Sequence, residues 1–368
     1  MPRLATRPTP RPTARAVPAL ALAAALGLAG TTPALADPPA PAATDLVGVG
    51  AQGTESLFNQ FSTDYNASLA AAGDTTSPRL YSWDSTGTTP ITTKSGATAI
   101  ARPFNSDTGI VALNANSAAT LDFSRSTRPP GVGDPADTLF VLLAKDAVTW
   151  AAPAGGNAPA GLSTAQLRAI YRCTVTNWRQ LDPALPDATI RPVLAGRLTV
   201  SPFGVSGPMA DTSSTLLTQV SSPGTTDALV AGPCVSVVER ENQGTDAVLH
   251  DPNALVPYSV GRYLGQTYGG HGRPGDDPGP LVPRAIDGTQ PVDQLNHRIS
   301  ASFGASNYAR ALFTAVRQAE WSATDAHGVA LRAVFGPNGW ICRAGAADIR
   351  SHGFLPMPGA ACGQTVHS

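Results

Sequence analysis

An α/β fold is predicted by two kinds of segment that alternate along the chain. Short apolar runs bounded by Gly, Ser and Asp, among them "DLVGVG" at residues 45–50 and "RLYSW" at 79–83, read as strands. Stretches with apolar residues three and four apart read as helices, and Leu57, Phe58, Phe61, Tyr65 and Leu69 fall on one such stripe. Thr54 is the expected N-cap of that helix. The clearest helix start is "GLSTAQLRAIYRC", with Ser163 as N-cap, Gln166 completing a capping box, and Leu162 and Leu167 placed as a hydrophobic staple. "TLFVLLAKDAVTWAA" at 138–152 reads as buried strand. "NYARALFTAVRQAEW" at 307–321 reads as an amphipathic helix carrying Ala309, Leu312, Phe313 and Val316. The Gly/Pro-rich stretch 269–280 marks a loop or domain edge.

Of 368 residues, 42% are hydrophobic and 14% charged, enough apolar side chain to build two domains or two lobes. A formal net charge of -1 leaves no basic footprint for nucleic acid. Residues 1–36 read as a secretory signal. Arg3, Arg7, Arg11 and Arg15 precede "ALALAAALGLAG", a run too short to span a bilayer, and "ALA" closes the segment. A Pro/Ala linker follows at 37–43, and the folded part opens near Thr44. No Cys follows the apolar run, so a released, extracellular protein without a lipid anchor is expected. In that compartment Cys173, Cys234, Cys342 and Cys362 are disulfide partners, with three connectivities open. None of the six histidines stands in a metal-ligand spacing, and no metal or cofactor is expected.

"GVGAQG" satisfies the dinucleotide fingerprint through Gly48, Gly50 and Gly53. The acidic residue that should end the second strand is misplaced, however, since Asp74 precedes "RLYSW". What remains is a glycine loop feeding a helix N-terminus, with free N–H groups and a positive dipole end. Serine-hydrolase signatures fail: Ile91 and Leu142 stand three residues before the two lysines, Lys94 and Lys145, and the nearest approach to an elbow is "GVSGP" around Ser206. Asp107, Asp122 and Glu239 have no claim as paired catalytic carboxylates over solvated or capping roles. A binding protein rather than an enzyme is expected.

"ATLDFSRSTRPP" at 119–130 sets Asp122, Arg125 and Arg128 among the hydroxyls of Ser124, Ser126 and Thr127, a concentration of polarity suited to an anion. In order and spacing, "DLVGVGAQGTESLFNQF", "ARPFNSDTGI", "LDFSRSTR", "LFVLLAKDAVTWAA", "LSTAQLRAIYRCTVTNW", "VVERENQGTDAV" and "LVPYSVGRYLGQ" together resemble the secreted phosphate-binding (PstS-like) branch of the type II periplasmic, or solute-binding, proteins. The resemblance spans most of residues 46–266.

It implies a two-lobed α/β fold with a ligand cleft between the lobes. Residues 44–149 and 281–368 would form lobe 1 and residues 150–280 lobe 2. Sequence order and that division favour Cys173 with Cys234 and Cys342 with Cys362. The matching positions imply a ligand set of Thr54, Ser106, Arg125, Ser126 and Thr127, the last standing where the family has a carboxylate that accepts a proton from hydrogen phosphate. From the second lobe the family contributes an "SGT" turn at a helix start; here Ser206 and Gly207 keep half of it and Pro208 replaces the threonine. The implied ligand is a small phosphate-like oxyanion, the implied partner an ABC permease, and a monomer is expected. The alternative is a secreted adhesion or surface-interaction protein that retains the fold without a ligand site.

Overall fold

The computed structural model describes Met1 and residues 37–39, 41–221 and 229–367, so the expected signal sequence lies outside the described residues. β1 (Leu46–Gly50), buried throughout, pairs in parallel with β2 (Leu80–Ser82) on one side and β3 (Phe123–Ser126) on the other. α1 (Glu55–Ala71) follows β1 and lays Phe58 on Phe123, ring centroids 5.8 Å apart. Thr54 does occupy the N-cap position of α1, yet its hydroxyl makes no capping bond and instead points to the Ala51 carbonyl at 3.5 Å. α2 (Ser106–Asn114) is capped by Asn105, in a capping box with Thr108.

β4 (Thr138–Pro153) runs for 16 residues through the middle of the sheet. Next come β5 (Gly161–Leu162), α3 (Thr164–Tyr171) with the expected Ser163–Gln166 capping box, and β6 (Arg191–Ala195). A hairpin of β7 (Thr199–Ser201) and β8 (Gly204–Ser206) precedes α4 (Asp211–Gln219), β9 (Ser236–Val238), β10 (Ala254–Ser259) and α5 (Val260–Thr267). Beyond the 269–280 loop lie β11 (Leu281–Ile286), the short pair β12 (Val292–Asp293) and β13 (Arg298–Ile299), and α6 (Ala301–Gly304). The chain then forms β14 (Ala309–Arg317), α7 (Gln318–Ser322), α8 (Ala326–Phe335), α9 (Trp340–Arg343) and α10 (Ala346–Ser351). It ends in β15 (Leu355–Pro356) and β16 (Thr365–His367), both antiparallel to β4. The main sheet runs β2-β1-β3-β14-β4-β10-β6-β9.

Hydrophobic cores form on both faces of the first half of β4. Leu139, Val141 and Leu143 join Phe61, Phe123, Leu331 and Phe335, whereas Phe140 joins Val49, Ile110 and Phe313. That alternation is the period-2 geometry of a strand. Further along, Trp150 enters another core with Tyr171, Trp178, Val193, Leu216 and Tyr258. Leu281, Ile286, Phe303 and Tyr308 pack in this same core.

The stretch 307–321 is not one amphipathic helix. Ala309–Arg317 is β14, paired antiparallel to both β3 and β4, and only Gln318–Ser322 is helical. β14 is covered on both faces, with Leu312 and Val316 in one core and Phe313 and Ala315 in another, and so dense an apolar run satisfies helical spacing whatever its conformation. The disulfides are Cys173–Cys234 and Cys342–Cys362, as the lobe division suggested. Closing loops of 61 and 20 residues, each bond removes unfolded-chain entropy worth roughly 3 to 4 kcal/mol.

Candidate functional site

The first turns of α1, α2 and α4 meet beside the ends of β1 and β3. Gly50 makes the exit from β1 possible: its φ is +112°, and a Cβ there would stand 2.6 Å from the Arg125 carbonyl oxygen. Gly53, in the turn before α1, lets Glu241 approach, since a Cβ would lie 3.0 Å from Glu241 Oε1. The glycines that mimic a dinucleotide fingerprint therefore serve close packing at this junction.

Arg125 is fully buried. Its Nε donates to the Ala51 carbonyl at 3.1 Å, Nη2 to Gly50 at 2.9 Å, and Nη1 to Trp83 at 2.9 Å and to Ser82 Oγ. The guanidinium thus ties the end of β1 to the end of β2. Burial pulls its pKa down to about 10, against the charges of Glu55, Asp84 and Asp211. Ser106, at the first position of α2, accepts the Thr127 N–H on Oγ at 3.0 Å. Thr127 Oγ1 itself is buried with no partner among the described residues. Ser126 Oγ donates to the Arg128 carbonyl at 2.8 Å and closes a local turn. Thr54, buried, shares the Ala51 carbonyl with Arg125. These five residues belong to one junction.

Ser206 and Gly207 do not. Both are exposed, and Gly207, at φ +106°, follows the end of β8 at the open end of the hairpin, where a Cβ would meet the Arg197 carbonyl at 2.7 Å. No helix starts at Pro208. The helix facing the junction starts at Asp211, after Ala210 as N-cap, so the turn expected at Ser206 and Gly207 lies further along the chain.

Carboxylates dominate what the sequence reading missed. Both oxygens of Asp211 accept the Ser106 N–H, at 3.1 and 3.0 Å. Glu241 Oε2 accepts the Thr212 N–H at 2.6 Å, and the Glu241 N–H donates to Gln52 Oε1 at 2.7 Å. Glu55, at the start of α1, accepts the Ser85 N–H at 2.9 Å and meets Arg240 at 3.0 Å and Arg273 at 3.6 Å. Arg310 bridges Asp146, at 2.9 Å, to the hydroxyls of Thr212 and Thr215, both at 3.2 Å. Burial, then the Glu241 charge, pushes Asp211 up to about 7, and burial raises Glu241 as well. Asp84 is pushed up to about 6 by burial and then by Glu55. Chemically, the junction holds anionic groups on helix N-termini and a buried arginine that balances them.

A helix-start signature, "ADTSS", was present at Asp211, and "ERENQ" placed Glu241 two residues past the exposed Glu239. Arg310 was hidden inside the stretch read as a helix. Of the other acids considered, Asp122 is buried against Lys94 at 2.7 Å, and Asp107 pairs with Arg128, also at 2.7 Å. A groove of about 620 Å³ opens beside α2, between residues such as Arg102, Asn105 and Val111 on one wall and Arg197 and Met209 on the other. Arg197 stacks there over Phe104 at 4.5 Å.

The chain is similar in structure to an ABC-type phosphate transport receptor from Vibrio cholerae, at 15% identity and a TM-score of 0.53, over 85% of this chain and 100% of that one. It is similar to a putative phosphate ABC transporter substrate-binding protein with bound phosphate from Clostridium perfringens, at 12% identity and 0.53, over 85% and 100%. A phosphate binding protein from Stenotrophomonas maltophilia matches at 14% identity and 0.51, over 86% and 91%. No protein-family model matches the chain, and neither does any curated protein. The fold is the two-lobed α/β fold of periplasmic binding proteins.

Proposed function

We propose that this protein is a secreted solute-binding protein that captures a small oxyanion of the phosphate class between its lobes and hands it to an ABC permease. The observation that supports this most is the meeting of three helix starts with Ser106, Thr127 and Arg125, at a junction that already holds carboxylates on backbone N–H groups. The solved neighbours, phosphate-binding proteins by description, agree with it. Lobe 1 would comprise residues 44–149 and the chain after β14 begins, and lobe 2 the residues between. Closure about the crossing strands would bury the ligand. Calorimetric titration and thermal shift with phosphate and sulfate test the reading. A ligand at a hundredfold excess over its Kd adds about 2.7 kcal/mol of stability, and chloride at matched ionic strength should add far less. No heat and no shift at millimolar phosphate or sulfate would sink it. The second reading, an adhesion protein that keeps the fold and leaves the cleft unused, is favoured by one observation: the helix starts are satisfied by the chain's own side chains.

A further inference from the structure

Asp211 is the first residue of α4, and its side chain reaches across to α2. Its carboxylate takes the Ser106 N–H, the donor that a ligand's anionic oxygen would otherwise receive at that helix start. A second carboxylate, Glu241, takes the corresponding N–H of Thr212 at the start of α4. Neighbouring bonds hold this arrangement shut: Asn105 Nδ2 donates to the Met209 carbonyl at 2.8 Å, and Gln52 accepts the Glu241 N–H at 2.7 Å. A hydroxyl at the same junction that can donate to an anion, Thr127 Oγ1, is buried with no partner among the described residues. The junction is thus built to hold negative oxygen, retains unused hydrogen-bonding capacity, and has its α2 position filled from within.

We propose that Asp211 is a specificity-determining residue, an intramolecular competitor that holds the α2 N-terminus against the anionic ligand. The inference rests on the anion-capture reading above. An incoming dianion must displace Asp211 or meet it in its neutral form, because a second negative group in this buried space is opposed by Asp211 itself, by Glu241 from the loop after β9 and by Asp107 on α2. Arg310 on β14 and Arg125 on β3 oppose that repulsion, and they are already engaged with Asp146, Thr212 and the backbone. Since burial and Glu241 bring Asp211 up to about 7, the competitor is charged above that pH and neutral below it. Anion affinity should therefore rise as the pH falls through about 7. A monoanion should be admitted more readily than a dianion at pH 8.

Sulfate separates this effect from the ligand's own titration, because it keeps both charges across the range. Calorimetric titration of the full chain with sodium sulfate at pH 6 and pH 8 would compare wild type, D211N and D211A. D211N keeps the shape and an acceptor for the Ser106 N–H, so it guards against a folding defect in D211A. At pH 8 both variants should bind sulfate at least about tenfold more tightly than wild type, a difference of about 1.4 kcal/mol. The gap should narrow at pH 6 because Asp211 titrates only in the wild type, whereas Glu241 is common to all three proteins. Unchanged or weaker sulfate binding in both variants at pH 8, with phosphate still bound by wild type, would overturn the competitor role and leave the anion reading standing. No heat with sulfate or inorganic phosphate in any of the three proteins would overturn both.

Discussion

Replacing Arg125 by Ala removes the one cation that ties the exits of β1 and β2 together. Its loss leaves the carbonyls of Gly50, Ala51 and Trp83 and the hydroxyl of Ser82 short of a donor in a site with no exposure. Each buried polar group left unpaired costs about 1 to 3 kcal/mol, and a cavity the size of a guanidinium stem adds to that. Allowing for water entering the space, we expect a net loss of about 4 kcal/mol, a large share of a stability that for most proteins is 5–15 kcal/mol. Urea unfolding of ligand-free protein, followed by far-UV circular dichroism at pH 7, measures it. An Arg125→Lys variant should fall between, because one ammonium has three donors and cannot span both strand ends. If Arg125→Ala unfolds within about 1 kcal/mol of wild type without ligand, these bonds do not hold the strand ends.

Asp211→Asn should be more stable than wild type at pH 8. The folded-state pKa of Asp211 is raised to about 7 from 3.8, so its stabilising contribution is present in full below the unfolded value and lost as the pH rises through about 7. The advantage of Asn should therefore shrink on acidification and vanish near pH 4 in melting curves; an advantage constant with pH would contradict the assigned cause. Lys94→Ala leaves Asp122 buried without its close cation, with His327 Nε2 farther off at 3.5 Å, and a loss of about 3 kcal/mol is expected by denaturant titration. Loss below 1 kcal/mol would mean that the pair is open to water. Thiol titration of denatured, unreduced protein should find no reactive cysteine, since all four are paired.

How much of this was legible in the sequence depended on whether a residue's neighbours were local. The capping box at Ser163 and Gln166 involves residues three apart, and it formed as read. The glycine loop and the polar stretch around Arg125 marked the junction, because polarity is costly in a charge-poor chain and concentrates where it is used. What Arg125 touches was not legible: its acceptors on Gly50, Ala51 and Trp83 are 42 to 75 residues away. The same holds for Asp211, whose partner Ser106 is 105 residues distant, and for Glu241, 189 residues from Gln52. β14 was misread because enclosure on both sides erases the alternation that distinguishes a strand from a helix. Ser206 and Gly207 were placed by likeness to a short motif, but they end the β7–β8 hairpin, and α4 starts beyond them at Asp211.

A single segment, Thr138–Pro153, contributes to all three cores. Where it passes from one to the next, Asp146 is fastened to Arg310, to Ser259 and to the Gly261 N–H. Neither half can lose its structure without withdrawing a wall from the other, so melting should be one all-or-none event despite two lobes. The same strand then limits how the molecule can flex. Any closure of the lobes around a ligand would have to come from a bend within this paired ribbon, a stiffer joint than a free linker.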